Sequence, residues 1–167
     1  MRLFIAVHFS DEIRQNLLDA ISSLRAQAVS ANFTRPENLH LTLAFIGETG
    51  NTAAVRRVID AVTAEPFALT VGGSGRFGDL WWAGVDQNPS LQKLADGLRD
   101  GLSEAGFDID RRAFKPHVTL ARQLVSDLPV QLTVPRATMT VSRVSLMKSE
   151  RVNGKLVYTE LYGRQLF

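Results

Sequence analysis

The phrase HLTLAF at residues 40–45 returns almost unchanged as HVTLAR at residues 117–122. Both copies open with histidine, and the chain contains only three histidines. The copies share His, Thr, Leu and Ala in the same order and differ at their second and last positions. Short runs of apolar and β-branched residues favour strands. The repeat therefore predicts two similar halves, each built around one His-x-Thr strand, that face each other across a central cleft.

Side-chain alternation along a strand decides what each phrase presents. Residues i and i+2 point to the same face, so His40 shares a face with Thr42, and His117 with Thr119. The apolar residues between them point to the opposite face, where a helix can cover them. If the two strands meet, one cleft contains two imidazoles and two hydroxyls.

Helices and strands alternate along the chain in groups. Helices are predicted from Asp11 to Ala28, capped by Ser10, from Thr52 to Ala64, and from Asn88-Pro89 to Gly106. Strands are predicted at residues 3–9, 39–46, 67–75, 80–85, 118–123, 132–134, 138–147 and 157–162. Runs of strands between helices favour an α+β fold with antiparallel-rich sheets over a doubly wound parallel sheet.

Composition narrows the class of protein. The 167 residues are 45% apolar and 22% charged, which is typical of one globular domain or of two small lobes that share a core. The net charge of +2 and the pI of about 9.3 suit an anionic ligand without indicating a general nucleic-acid coat. Cysteine is absent, which excludes disulfides and thiol nucleophiles. The N-terminus does not resemble a secretory signal, and no apolar run is long enough to span a membrane, so we expect a cytoplasmic protein.

Two histidines in one cleft are suited to proton transfer at phosphorus. A neutral imidazole can take a proton from an attacking water, and a protonated one can give a proton to the leaving oxygen. Free histidine titrates near 6.5, so both forms are available at neutral pH. Each positioned group typically contributes about 10²–10⁴-fold in rate. The adjacent threonine hydroxyls can donate to phosphate oxygens, and the scheme requires no metal.

Other interpretations of these residues compete. A single His-x-Thr in a strand is usually a packed pair without chemistry, and two histidines can also ligate zinc. Catalytic zinc usually takes three protein ligands, and neither phrase carries an acidic residue beside its histidine. His8 shares a strand face with Phe4 and Ala6, where a packed histidine is favoured. Of Trp81 and Trp82, alternation puts one in the core and the other at the surface or near a ligand.

Four segments carry a resemblance to a known family: RLFIAV from Arg2, RPENLHLTLAFIGE at residues 35–48, FKPHVTLAR at residues 114–122 and LMKSERVNGKLVYTEL at residues 146–161. In these segments the chain closely resembles the 2H phosphoesterase superfamily, which is named for its paired His-x-Thr/Ser motifs. Within it, the chain is most similar to the RNA 2′,3′-cyclic phosphodiesterases, also called 2′-5′ RNA ligase-like proteins.

The resemblance implies one bilobal domain over residues 1–167, with two sheets around a central cleft and helices packed outside. It implies hydrolysis of RNA or nucleoside 2′,3′-cyclic phosphate to a 2′-phosphomonoester. His40 would be the general acid toward the leaving 3′ oxygen and His117 the base toward water, while Thr42 and Thr119 would hold the phosphate. The expected partners are RNA or oligonucleotide ends, bound by a monomer without a cofactor, a metal or a membrane.

The last letter of each phrase differs, and so does its predicted role. Arg122 matches a family arginine that binds substrate, yet strict alternation from His117 points Ala121 into the cleft and Arg122 away from it. A β-bulge could re-aim Arg122. Its counterpart, Phe45, could stack on a base, while Arg122 recognises the negative charge of the substrate.

Three alternatives use the same atoms. The substrate could be another cyclic nucleotide, such as ADP-ribose 1″,2″-cyclic phosphate, or the chain could be a 2′-5′ RNA ligase. A non-catalytic module that binds RNA ends would retain the pocket without turnover. All four motif side chains are intact, which favours an enzyme.

Overall fold

The computed structural model describes residues 1–167 and contains three α-helices and nine β-strands. In chain order these are β1 (Arg2–Val7), α1 (Asp11–Gln27), β2 (Ser30–Phe33), β3 (Leu41–Glu48), α2 (Thr52–Ala61), β4 (Phe67–Phe77), β5 (Leu80–Val85), α3 (Pro89–Glu104), β6 (His117–Val125), β7 (Ala137–Val141), β8 (Arg143–Val152) and β9 (Lys155–Gln165). A short 3₁₀ helix, Pro36–Asn38, precedes β3.

The strands form two sheets in which every pairing is antiparallel. The four-stranded sheet has the order β3-β1-β8-β9, and the five-stranded sheet has the order β2-β6-β5-β4-β7. Each His-x-Thr phrase belongs to a different sheet. The predicted α+β class, with two antiparallel sheets, is confirmed.

Helix starts follow the capping residues in the sequence. The Ser10 hydroxyl accepts a hydrogen bond from the Ile13 amide at 3.4 Å, and the Asn88 side chain accepts one from the Leu91 amide at 3.1 Å. Both side chains satisfy amides that would otherwise lack a partner at a helix N-terminus. Gly106, with φ +95°, follows α3 in the left-handed conformation that commonly ends a helix.

The helices cover one face of each sheet. Helix α1 packs against β2, β6 and β7, α3 packs against β3 and β4, and α2 packs against α3 and β9. One cluster of 34 buried apolar residues draws on both sheets and all three helices. Burial of each large aliphatic side chain contributes about 1.5–3 kcal/mol. The opposite faces of the sheets have no helix over them and are left for the site.

Two of the predicted strands are wrong. Residues 132–134 form no strand, although the Val134 carbonyl accepts a hydrogen bond from the Gly73 amide at 2.8 Å. The strand predicted over residues 138–147 is two strands, because the chain passes from β7 in one sheet to β8 in the other at Ser142. Apolar alternation continues across this change of sheet, so the pattern alone could not reveal it.

No helix is both long and apolar enough to cross a membrane.

Candidate active site

The uncovered face of the four-stranded sheet contains a small apolar cluster of Phe4, Ala6 and Met147, with Tyr158 packed against it. Strand pairing aligns Phe4 with Met147, so β1 and β8 contribute neighbouring side chains to this face. The cluster is separate from the main core. It forms the floor on which the first histidine lies.

His40 lies just before β3 and packs against two aromatic rings. Its ring centroid is 4.9 Å from that of Phe4 and 5.2 Å from that of Tyr158, which meets it edge-on. Nδ1 donates to the Asn38 carbonyl at 2.7 Å, which fixes the tautomer and leaves Nε2 facing the Thr42 hydroxyl at 2.8 Å. Burial lowers the pKa of His40, and its hydrogen bond to the Asn38 carbonyl partly opposes that effect.

Asn38 is one of only two buried polar side chains in the chain. Its side-chain amide donates to the Leu156 carbonyl in β9 at 2.9 Å, while its own carbonyl accepts from His40. Leu156 is two residues from Tyr158, whose ring packs against His40. Asn38 therefore fixes His40 relative to the strand that encloses it. The sequence patterns did not indicate a role for Asn38, whose only signal is its place two residues before the histidine.

His117 repeats the same local geometry in the five-stranded sheet. It is the first residue of β6, and its Nδ1 donates to the Lys115 carbonyl at 2.7 Å, again two residues earlier in the chain. Its ring meets the edge of Phe77 at 5.4 Å. His117 is half-buried, and two aromatic rings do not enclose it as they do His40.

Thr119 lies on the same face as His117 and pairs with Trp82 of β5. The Trp82 ring packs against Phe77 at 5.4 Å, so β5 supplies an aromatic wall beside the second motif. Trp81 packs against the main core on the opposite face. The prediction that the two tryptophans diverge is confirmed.

A β-bulge in β3 changes the alternation after Thr42. Ile5 pairs with Ala44 and Ala6 pairs with Thr42, so Leu43 has no partner in β1. Leu43 and Ala44 are both buried. Phe45 consequently returns to the face of His40, where its ring is 6.3 Å from that of Phe4, and it is 66% exposed.

A matching bulge in β6 has the same effect on Arg122. Trp81 pairs with Ala121 and Trp82 with Thr119, so Leu120 has no partner in β5. Leu120 and Ala121 are both fully buried. The strict alternation that pointed Arg122 away from the cleft is therefore wrong, and Arg122 lies on the face of His117, at the position equivalent to Phe45.

Arg122 brings the two sheets into electrostatic contact. Burial raises the pKa of the Tyr158 hydroxyl, and the positive charges of Arg122 and Arg2 oppose this rise. Tyr158 belongs to the four-stranded sheet and Arg122 to the five-stranded one, so the two uncovered faces oppose each other. Strand β3 also contacts β6. None of the chain's seven ion pairs involves Arg122, which leaves its guanidinium available to an anion.

His8 follows β1 on the same face as Phe4 and Ala6. The packed histidine favoured by the sequence is wrong, because His8 is exposed. In its protonated form His8 adds to the lowering of the His40 pKa, and the pKa of His8 is itself lowered, chiefly by partial desolvation. Near His8, Arg143 and Ser145 both donate to Glu160, at 2.6 and 2.7 Å. These hydrogen bonds hold the pKa of the Glu160 carboxyl below its usual range.

No three metal-ligating side chains meet closely enough to hold an ion.

A separate pocket lies outside this cleft. It has a volume of about 660 Å³ and is lined by Arg76 and Trp81 of the β4–β5 hairpin and by Leu124 and Leu128. It contains no histidine or threonine. The chemistry of the paired motifs therefore places the candidate site in the cleft between the two sheets.

The family model described as the 2′-5′ RNA ligase superfamily matches residues 9–153, which include both motifs and both bulged strands. The chain belongs to this superfamily. Its residues 40–45 and 117–122 thus lie within the region that the family model covers.

Curated relatives carry one name. A protein of Escherichia coli strain K12 named RNA 2′,3′-cyclic phosphodiesterase is 31% identical over 172 residues, which cover 96% of this chain and 93% of that protein. A protein of the same name from Geobacillus stearothermophilus is 33% identical over 154 residues and 84% of this chain, but the match spans only 48% of that relative's length.

A solved structure shows the same fold. E. coli LigT in complex with 3′-AMP superposes with a TM-score of 0.84 at 27% sequence identity, covering 99% of this chain and 96% of that one. The bilobal arrangement predicted from the paired phrases agrees with this likeness.

Proposed function

We propose that this chain hydrolyses the 2′,3′-cyclic phosphate at an RNA or oligonucleotide end to a 2′-phosphomonoester, using His40 and His117 as its proton-transfer groups. The observation that carries the proposal is the repeated geometry: each imidazole donates from Nδ1 to the carbonyl two residues earlier. This arrangement keeps each Nε2 free of the backbone and turned toward the cleft, where that of His40 meets the Thr42 hydroxyl at 2.8 Å. The names of the curated relatives support the same reaction.

In the proposed reaction a water attacks phosphorus while the bond to the 3′ oxygen breaks. His117 takes the proton from water, and His40 gives a proton to the departing 3′ oxygen. His40 is therefore protonated before the reaction, and His117 is protonated after it. The Nδ1–H bond of His40 to the Asn38 carbonyl favours the imidazolium form of that histidine. The hydroxyls of Thr42 and Thr119 donate to the non-bridging oxygens, on which charge builds up in the transition state.

The two residues that end the motifs divide the recognition of the substrate. Arg122 pairs with the phosphate. No carboxylate of the chain forms an ion pair with its guanidinium and competes for it. Phe45, with two-thirds of its surface exposed, stacks a nucleobase. We further propose that residues 1–167 act as one domain, because one apolar cluster spans both sheets. We also propose that the protein acts as a monomer without a cofactor.

The deciding experiment uses an oligonucleotide that ends in a 2′,3′-cyclic phosphate. We expect complete conversion to the 2′-phosphate, identified by ³¹P NMR, at a rate that EDTA does not change. Absence of turnover by protein with native circular dichroism would refute the proposal, and a 3′-phosphate product would refute the assignment of the leaving oxygen.

The name of the superfamily favours a second candidate function. A 5′-hydroxyl could attack the cyclic phosphate in place of water, forming a 2′-5′ phosphodiester and releasing the 3′ oxygen. Addition of a 5′-hydroxyl oligonucleotide to the same assay would distinguish the two, because ligation yields a longer product. A parallel assay with ADP-ribose 1″,2″-cyclic phosphate tests a different substrate for the same residues.

A further inference from the structure

Two aromatic side chains, one exposed and one half-buried, form a surface beside His117. Phe77, at the end of β4, is 49% exposed, and its ring lies 5.4 Å from Trp82 at an interplanar angle of 45°. The same Phe77 ring meets His117 edge-on at 5.4 Å. We call Phe77 and Trp82 the Phe77–Trp82 surface. Neither the paired motifs nor the proposed proton transfer accounts for it.

The backbone under Trp82 is shaped for the indole ring. A Cβ on Gly75 would overlap Cζ2 of Trp82, so only glycine lets the ring lie flat on β4. Trp82 belongs to neither apolar cluster, which separates it from the core tryptophan beside it, Trp81. The buried Nε1 of Trp82 has no hydrogen-bond partner, and it is the only such side-chain atom in the chain. A buried N–H without a partner costs free energy. An indole ring held outside the core at the expense of its own hydrogen bond indicates a role other than packing.

The opposite sheet has an aromatic surface of its own. Phe45 is 66% exposed beside Phe4, whose ring in turn packs on His40. If His40 and His117 act on one phosphorus, the two aromatic surfaces lie on opposite sides of it. A single nucleoside has one base and can occupy only one of them. Filling both surfaces requires two nucleotides.

We propose that the Phe77–Trp82 surface stacks the base of the nucleotide that precedes the cyclic phosphate end, so the preferred substrate is an oligonucleotide and not a mononucleotide. The inference rests on the proposed function and deepens it by assigning a binding surface to the second nucleotide of the substrate. Stacking of a base on an aromatic side chain tolerates any base. We therefore expect a preference for chain length with little preference for sequence, on the order of tenfold to a hundredfold in kcat/KM.

The test compares adenosine 2′,3′-cyclic phosphate with a dinucleotide that ends in the same group. For the wild type we expect a higher kcat/KM on the dinucleotide, and for Phe77→Ala we expect the ratio of the two kcat/KM values to fall to about one. Phe77→Tyr keeps a ring and should keep the advantage. Phe167→Ala is the matched control, since Phe167 is 84% exposed at the end of the chain. A dinucleotide without its first base should react like the mononucleotide.

Equal hydrolysis of both substrates by the wild type would overturn the inference, and so would an equal loss on both in Phe77→Ala, since Phe77 would then act through His117. Hydrolysis of neither substrate by the wild type would instead refute the proposed function. In that case binding of the 2′-phosphorylated dinucleotide, followed by tryptophan fluorescence, still decides the inference. Quenching by the wild type that Phe77→Ala weakens supports the surface, and equal quenching rejects it.

Discussion

The environments of His40 and His117 differ although their motifs are nearly the same. Both imidazoles donate from Nδ1 to a carbonyl two residues earlier, at 2.7 Å in each case. His40 lies between Phe4 and Tyr158, which come from strands outside its motif, and burial lowers its pKa. His117 meets one ring, Phe77, and is half-buried. The motif therefore fixes the orientation of each histidine, and the neighbouring strands fix its surroundings.

The bulges extend the comparison to the ends of the motifs. In both strands a bulge leaves the residue after the threonine without a partner in the neighbouring strand. Phe45 and Arg122 therefore reach the cleft at equivalent positions. One half presents a ring and the other a charge. Equivalent backbones with different side chains allow the site to treat the two sides of a substrate differently, and single substitutions can test each side.

The largest expected effect comes from removing either histidine. We expect His40→Ala and His117→Ala each to lower kcat by about 10²–10⁴-fold, because each removes one proton-transfer group. The measurement is hydrolysis of an oligonucleotide 2′,3′-cyclic phosphate, with circular dichroism as the check of folding. The double variant should be little worse than either single one, since the two groups act as a unit. Full activity in the double variant would disprove the two-histidine mechanism.

The next largest effect distinguishes Arg122 from Phe45. Arg122→Gln removes a charged donor to the phosphate, and we expect kcat/KM to fall about tenfold to a hundredfold on every cyclic phosphate, with a weaker dependence on salt. Phe45→Leu should impair only substrates that carry a base. Ribose 2′,3′-cyclic phosphate, which has no base, is the discriminating substrate. Equal sensitivity of this substrate to both variants would contradict the proposed division.

A smaller effect is expected at Asn38, which has no equivalent in the second motif. Asn38→Ala removes the buried side-chain donor to the half-buried Leu156 carbonyl, at a cost of about 0.5–1.5 kcal/mol in the free energy of unfolding. Because β9 and Tyr158 then lose their tie to His40, we expect kcat to fall about tenfold with KM little changed.

Lys115→Ala is the matched control for Asn38→Ala. Lys115 supplies the corresponding carbonyl to His117, but its own side chain is exposed. The substitution should therefore change neither stability nor kcat. Urea unfolding and steady-state kinetics measure both quantities, and an equal loss in the two variants would show that Asn38 has no special role.

The sequence predicted the parts of the site that lie within one repeated phrase. His40 shares a face with Thr42, and His117 shares one with Thr119, as period-two alternation requires. Arg122 could not be placed in this way, because the bulge depends on pairing with β5. Asn38 and Tyr158 are remote from each other in sequence, and only the pairing of β9 with β8 brings them to His40. The division between β7 and β8 was missed for the same reason, since a local pattern does not specify which sheet a strand joins.

The smallest expected effect is a shift in the pKa of His40 when His8 is replaced. The positive charge of His8 disfavours protonation of His40 and adds to the lowering that burial causes, so His8→Gln should raise the pKa of His40 toward its ordinary value. NMR titration of the histidine Cε1–H signals measures this directly, and the limb of the pH–rate profile that His40 controls should move to higher pH. Arg57→Gln, which removes an exposed charge from α2 on the far side of the sheet, is the control. An unchanged His40 titration in His8→Gln would show that the third histidine does not act on the first motif, and the contrast between the two halves would then rest on the enclosing rings alone.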